Sequence, residues 1–476
     1  MKENIKIGIS GKRFISPEES SRVYKEIRER IKDILKKHKA HGFTGYTALA
    51  SGADTIFADV VRKEFQQPLQ VILPFPAGEY EKDFEGADLE TFRNLIRETG
   101  QQELAVTTAP ADSDTRNAAY YKAGIMIVDQ CDEMVFVWDE LRPGGVGGTA
   151  EILGYFSEKK GHLPVDPVKV KPAQQDELHC ALIRKYERAN NLAMKARDKY
   201  KRVWKWAIFL GWLTVVCFAC KTAFHLEGTA GYMLTLSEFL FVVAVYALTF
   251  YAKKRKYHGH YLGERMKAET CRLLFCFYHA GVRIDISDKA KEDSSMAASA
   301  GDINQSLRVA GHRSKWYTQY VIRTLIHEQC SYHHNKVKTI GNTHELAERI
   351  NLFIAVAFVV NLAAHLIHLS VQEEAWHFWL YDLSVFFNIL LPASYAALEG
   401  VIYFNEWALL KKHSEVAGKR LGEAEHLLPE NLSLHSDEDC HKKQARVLHI
   451  VSETMLTDNR NWNLLLENKN NYHLIV

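Results

Sequence analysis

The residues best suited to chemistry lie in Glu133–Ile152. An apolar run, Glu133–Trp138, reads as a buried strand, Arg142–Gly148 as a glycine-rich loop, and Thr149 onward as the first turn of a helix. Gly144, Gly145, Gly147 and Gly148 let the backbone take positive φ and approach a ligand closely. The helix behind them offers unpaired N–H groups and a partial positive charge, and Thr149 adds a hydroxyl. That combination suits a phosphate or another anionic group. Glu151, in the same turn, is the best acid or base candidate for a reaction there. A plain glycine-rich turn is the alternative; a strand before and a helix after favour the ligand site.

Elements that could position this loop recur upstream. Ile5–Ile9 is a short apolar strand ending in Ser10, Gly11, Lys12 and Arg13. Ser16-Pro17-Glu18-Glu19 is a helix start, with an N-cap serine, proline at the first position and acids in the first turn. The helix should run to about Lys39. Tyr46–Ala50 reads as the next strand, followed by Ser51, Gly52 and Asp54 and a helix to Phe65. Leu69–Leu73 and Leu104–Thr107 are further strands, with helices at Asp88–Glu98 and Arg116–Gln130. Between them, Pro74–Asp83 carries Tyr80. Strands buried on both faces and alternating with helices predict an α/β domain with a parallel sheet, whose ligands bind beyond the carboxyl ends of the strands. The candidate ligand residues are therefore Ser10, Gly11, Lys12, Arg13, Ser51, Gly52, Asp54, Tyr80, Arg116, Tyr121, Gly144, Gly145, Gly147, Gly148, Thr149 and Glu151. Asp54 can instead cap its helix, Tyr80 and Tyr121 can be core-edge aromatics, and Arg116 can pair with a carboxylate. Neither the G-x-G-x-x-G dinucleotide fingerprint nor a Walker loop is present.

Together GISGKR, ALASGAD, LPFPAGEY-x-x-DF and IVDQCDEMVFVWDELRPGGVGGTAEI resemble the SLOG superfamily, named for the DNA-processing Smf/DprA proteins and the Lonely-guy (LOG) cytokinin-activating enzymes. The resemblance covers the first third of the chain and implies a Rossmann-like nucleotide-binding domain. LOG enzymes carry a related P-G-G-x-G-T-x-E loop and hydrolyse nucleoside monophosphates with its Glu and an Arg from elsewhere. Here Glu151 falls near that Glu, but the neighbouring R-K motif is absent, leaving only Arg116 and Lys122 upstream. The closer likeness is to SLOG domains of bacterial conflict systems, which implies sensing of a signalling nucleotide such as a cyclic nucleotide or ADP-ribose derivative, with no obligatory cofactor and no metal.

Composition sets the outer bounds. The 476 residues predict at least two domains, and a formal net charge of +2 excludes the strong basic field of a nucleic-acid binder. Eight scattered cysteines fit a reducing compartment. Cys217 and Cys220 lie inside an apolar block and read as packing. The second part carries four apolar blocks, about 204–224, 232–252, 351–371 and 378–400, against the ~20 residues a membrane span needs. Lys199, Lys201, Arg202, Lys253–Lys256 and Arg349 flank them, while the intervening turns are poor in Lys and Arg. The positive-inside rule places both hairpin ends, and the first domain, in the cytosol. Buried core helices in a soluble protein are the alternative.

The resulting map is a SLOG-like domain over 1–171, a helical region with a first hairpin over 172–291, a linker over 292–306, and a helical region with a second hairpin over 307–476. The two hairpins, with Tyr317–Lys338 and Asn461-Trp462-Asn463, are similar to SLATT domains, two-helix membrane effectors that accompany nucleotide signalling. That resemblance implies a homo-oligomeric, multi-pass effector of the bacterial inner membrane in antiphage defence. The expected function is nucleotide-triggered pore formation or membrane disruption. A membrane-tethered nucleotide or NAD hydrolase using Glu151 and Arg116, and a nucleotide-gated channel or transporter outside defence, are the alternatives.

Overall fold

The computed structural model describes residues 4–99, 103–107, 112–143, 146–172, 176–284, 294–309, 313–370, 377–405 and 407–471. Its first elements alternate: β1 (Asn4–Gly11), α1 (Pro17–His38), β2 (Gly42–Thr47), α2 (Ala53–Lys63), β3 (Leu69–Leu73), α3 (Ala77–Tyr80), α4 (Gly86–Thr99), β4 (Glu103–Ala105), α5 (Ser113–Gln130), β5 (Glu133–Trp138), α6 (Thr149–Lys160) and β6 (Val168–Lys169). The strands form one sheet in the order β4-β3-β2-β1-β5-β6, every pair parallel, with β6 only two residues long.

Local chemistry sets the element ends. Ser16 caps α1, its Oγ accepting from the Glu19 N–H at 3.4 Å, and Pro17 opens the helix. Asp112 and Thr115 form a reciprocal capping box on α5. Strand β2 stops at Thr47, short of the predicted Ala50, because side chains take the next donors. The Ala48 N–H donates to Asp54 and the Leu49 N–H to the Thr47 hydroxyl, leaving neither for a neighbouring strand.

The sheet is covered on both faces. Ile5, Ile7, Ile9, Val135 and Val137 pack against Val23, Ile27 and Ile31 of α1 and Phe57, Val60 and Val61 of α2. The alternate residues Met134, Phe136 and Trp138 pack against Ala123, Ile127 and Val128 of α5 and Ile152, Leu153 and Phe156 of α6. That second core is completed from far along the chain, by Trp316, Tyr317, Tyr320, Leu432 and Cys440.

The remainder is helical: α7 (Glu177–Ala223), α8 (Gly228–Lys254), α9 (Tyr257–Ala280), α10 (Ser294–Val309), α11 (Lys315–Ser370), α12 (His377–Asn405), α13 (Trp407–Glu425) and α14 (Asp437–Asn471). The segment expected as a linker, 292–306, is helical from Ser294. Its alanines are strong helix formers, Ser299, Ala300 and Ile303 are buried, and the Asn304 amide bonds both the N–H and the carbonyl of Ile284. Two compact units result, each assembled from separated stretches. One comprises Met1–Arg184, Thr270–Glu328 and Glu423–Glu453; the other comprises Lys185–Glu269, Gln329–Gly422 and Thr454–Val476.

Four helical stretches, within α7, α8 and α11 and from Leu380 onward, are long and apolar enough to cross a membrane. At most 11% of any of these apolar windows is buried. Phe209, Phe239, Leu240, Val359 and Val360 stand outward among them. Core helices of a soluble protein bury such faces, so a bilayer is the environment these helices fit.

Candidate functional site

The carboxyl ends of β1, β2, β3 and β5 share one edge of the parallel sheet, and the predicted loops meet there. Between β1 and β5 the chain direction of the crossovers reverses, which is where such sheets open a crevice for ligands. Ser10 pairs in register with Phe136, Gly11 with Val137, and the Lys12 N–H donates to the Val137 carbonyl at 3.0 Å. The Ala53 N–H donates to the Lys12 carbonyl at 3.1 Å, fastening the start of α2 to the loop after β1. Gly52 sits immediately before α2, against the carbonyls of Lys12 and Arg13, with Ser51 half-buried beside it.

The charged groups at this edge are already engaged. Lys12 forms an ion pair with the buried Asp139 at 2.7 Å, and the Arg13 guanidinium lies 4.7 Å from the centre of the Tyr120 ring. Tyr120 donates to Asp83. Arg116 holds the same Asp83 at 2.5 Å and Glu79 at 3.1 Å, and stacks over Phe75. Arg116 thus braces α5 against the segment after α3. Tyr80 is 1% exposed among Phe75, Phe84 and Phe92, so it supports that segment from inside the core. Asp54 is buried and accepts from the Thr47 hydroxyl at 3.0 Å. Burial pushes its carboxyl up to about 6, against the pull of its hydrogen bonds from Thr47, Ala48 and Ala50.

The glycine-rich loop closes the edge. Gly144 and Gly145 lie outside the described residues. Gly147 has φ of +82°, and a Cβ there would come within 2.8 Å of the Tyr121 backbone nitrogen, so only glycine allows the loop to lie on α5. Gly148 is the N-cap of α6, and Thr149 and Glu151 in its first turn are both buried. The Gly147 N–H donates to Glu151 Oε2 at 2.9 Å. The Glu151 carboxylate therefore already uses a backbone donor of the loop that leads into α6.

Beside this edge runs a groove of about 800 Å³, walled by Asp139, Glu140, Lys169, Lys171, His179 and Arg184. It is in the size range of small-molecule sites, roughly 300–1,000 Å³. A smaller cavity of about 220 Å³ lies at the other end of β5, around Lys37, Glu133 and His162, away from these loops.

Beside the groove, which His179 lines, a chain of side-chain contacts runs inward. Arg142 lies over the Tyr278 ring at 4.6 Å, and Tyr278 donates to Asp176. Asp176 stands just before α7 and accepts from the His179 N–H at 3.0 Å. His179 Nδ1 is 3.0 Å from His279 Nε2, and His279 Nδ1 is 2.8 Å from the Tyr317 hydroxyl. Tyr317 meets Trp138, the last residue of β5, edge to face. Burial, then the neighbouring His179, holds His279 down to about 3, so it is neutral at ordinary pH. Burial also lowers His179, against the pull of Asp176. These groups are the first turns of α7 and α11 and the end of α9. Periodicity gives no sign of them, since the two histidines stand a hundred residues apart in sequence. Asp139, by contrast, directly follows a strand, a position that the sheet rule singles out.

Among the described residues no group of His, Cys, Asp and Glu side chains is placed to hold a metal ion. Comparison of the chain with protein-family models, with curated proteins and with solved structures finds no match in any of the three.

Proposed function

We propose that this chain is a membrane effector whose α/β part senses a nucleotide-derived signal and whose membrane helices respond by permeabilising the bilayer, as a homo-oligomer in a bacterial defence response. The observation that carries it is the chain of contacts from Arg142 through Tyr278, Asp176, His179 and His279 to Tyr317. It ties the loop after β5 to the roots of α7 and α11, two of the helices that hold apolar spans. A ligand that binds one arrangement of that loop better than another shifts the helices rooted against it. Sensing is favoured over hydrolysis because Glu151, the best proton-transfer candidate, is 5% exposed and bound to the Gly147 N–H.

The test is retention. The detergent-solubilised full chain is incubated with nucleotides, cyclic nucleotides, NAD and cyclic ADP-ribose derivatives, and the retained species are read by mass spectrometry. An intact ligand, lost in Gly147→Val, is expected. Conversion to base and sugar phosphate establishes the hydrolase instead, and no retained ligand overturns the site.

A further inference from the structure

Within the second unit, α11 and α12 are joined by a ladder of polar contacts at membrane depth. At one end Asn351 Nδ2 donates to Glu399 Oε1 at 2.7 Å. In the middle Asn361 Nδ2 donates to the Ser384 carbonyl at 3.0 Å and to Asn388 Oδ1 at 2.9 Å. Toward the other end His365 Nδ1 lies 3.0 Å from the Ser384 hydroxyl, with the Tyr381 ring stacked on the imidazole at 5.2 Å. From Asn351 to His365 the helix rises ~21 Å at ~1.5 Å per residue. That is most of a hydrocarbon core of ~30 Å.

Two features go beyond what is needed to tie helices together. Asn351 is 4% exposed, and its Oδ1 has no donor among the described residues. Pro392 lies inside α12 and has no N–H to offer the carbonyl of Asn388, one turn back. The first leaves an oxygen acceptor unmet near the end of the ladder, and the second takes the helix's own donor from a carbonyl in its middle. In hydrocarbon an unmet acceptor is costly, whereas water or a cation satisfies it. Among the described residues that make these contacts, the one formally charged group is a carboxylate, Glu399. Outside it, the helices turn Val359 and Val360 outward.

We propose that the α11–α12 ladder is a hydrated path for a small monovalent cation, with Glu399 setting its preference for positive charge. This deepens the permeabilising role, and it rests on α11 and α12 crossing the membrane rather than on nucleotide sensing.

The test needs no nucleotide. The full chain, carrying Asn361→Cys, Ser384→Cys or the lipid-facing Val359→Cys, is reconstituted in phosphatidylethanolamine–phosphatidylglycerol vesicles. It is treated with a cationic (trimethylammonium-ethyl) or an anionic (sulfonatoethyl) methanethiosulfonate. Modification is read on the peptide bearing the new thiol, with the native cysteines as internal references. Ser384→Cys is nearly isosteric, so it reports even where Asn361→Cys disturbs the hairpin. We expect both ladder thiols to react, the cationic reagent faster by about fivefold or more at Asn361→Cys, ~15 Å from one unit charge, and by less at Ser384→Cys, ~22 Å from it. Glu399→Gln should remove that difference, and Val359→Cys should react with neither reagent. Equal rates for the two reagents overturn the cation preference. Ladder thiols as unreactive as Val359→Cys show a dry tie between helices and overturn the proposal, while leaving nucleotide sensing untouched.

Discussion

His179 and His279 face each other inside the first unit with 3.0 Å between ring nitrogens, so the pair cannot accept two protons without repulsion. The native fold holds His279 far below the ordinary imidazole value, whereas the unfolded chain takes up a proton near ~6.5. Below that pH the unfolded state binds more protons than the native state, so stability is lost as pH falls. The contribution is fully present above it. The slope reaches about 1.4 kcal/mol per pH unit for one histidine. Thermal melts of the wild type should therefore fall between pH 7.5 and 5.5, and those of His279→Gln should fall less. An equal pH dependence in the two proteins would show that His279 does not hold the neutral form. The neighbouring residues also show how far sequence reaches. Ser10–Arg13, Ser51–Asp54 and Gly147–Glu151 were legible because a turn at a strand end is a local pattern. Arg116 was legible as a cation near the site, but its partners Glu79 and Asp83 come from another loop. The histidine pair was illegible because only the packed chain brings it together.

At the level of elements, α6 packs unusually close to α11. A Cβ on Gly154 would lie 2.6 Å from the Trp316 carbonyl carbon, and Trp316 itself meets the Tyr155 ring edge to face at 4.9 Å. Gly154→Leu cannot be absorbed by a side-chain rotation, because backbone is what it meets. It should destabilise the first unit by about 3 kcal/mol or more, at the upper end for overpacking. Chemical denaturation of the full chain, followed by the fluorescence of its tryptophans, measures this. An unchanged midpoint would mean that α6 and α11 do not share this contact in solution. Element types were read well from hydrophobic pattern, including strands β2 to β5, though not the two-residue β6 after α6. Element lengths were not. The sequence marks apolar blocks beginning at about 204 and 351, yet the backbone runs unbroken through Glu177–Ala223 and Lys315–Ser370. Composition changes at those points while hydrogen bonding does not. The Ser- and Ala-rich stretch from Ser294 was misread for a related reason: its small side chains suggest a linker, but burial of Ile303 selects a helix.

Over the whole molecule, the chain passes between its two units at 184/185, 269/270, 328/329, 422/423 and 453/454, and each passage falls within a helix. The membrane reading predicts the sidedness of the turns. His225 and Lys256 both take positive φ just beyond α7 and α8. In sealed vesicles with the α/β part enclosed, an impermeant thiol reagent should label His225→Cys from outside. It should reach Lys256→Cys only after the vesicles are opened. Labelling of both from one side would place α8 on the membrane surface instead of across it. Charge asymmetry along the sequence is what predicts this arrangement. The division into units was not, because nothing local in residues 270–328 or 423–453 marks them as parts of the α/β core.

That shared core has a consequence for synthesis. Phe136, Trp138, Tyr155 and Phe156 emerge from the ribosome early; of the residues that cover that side, Trp316, Tyr317 and Tyr320 follow only after the first apolar hairpin, and Leu432 and Cys440 only after both. The nascent α/β part must wait, with part of an aromatic face uncovered, until the apolar hairpins have been made. The α/β core and the apolar hairpins therefore mature together: a chain interrupted after its α/β segment has an unfinished core, which is completed only on a chain whose hairpins already exist.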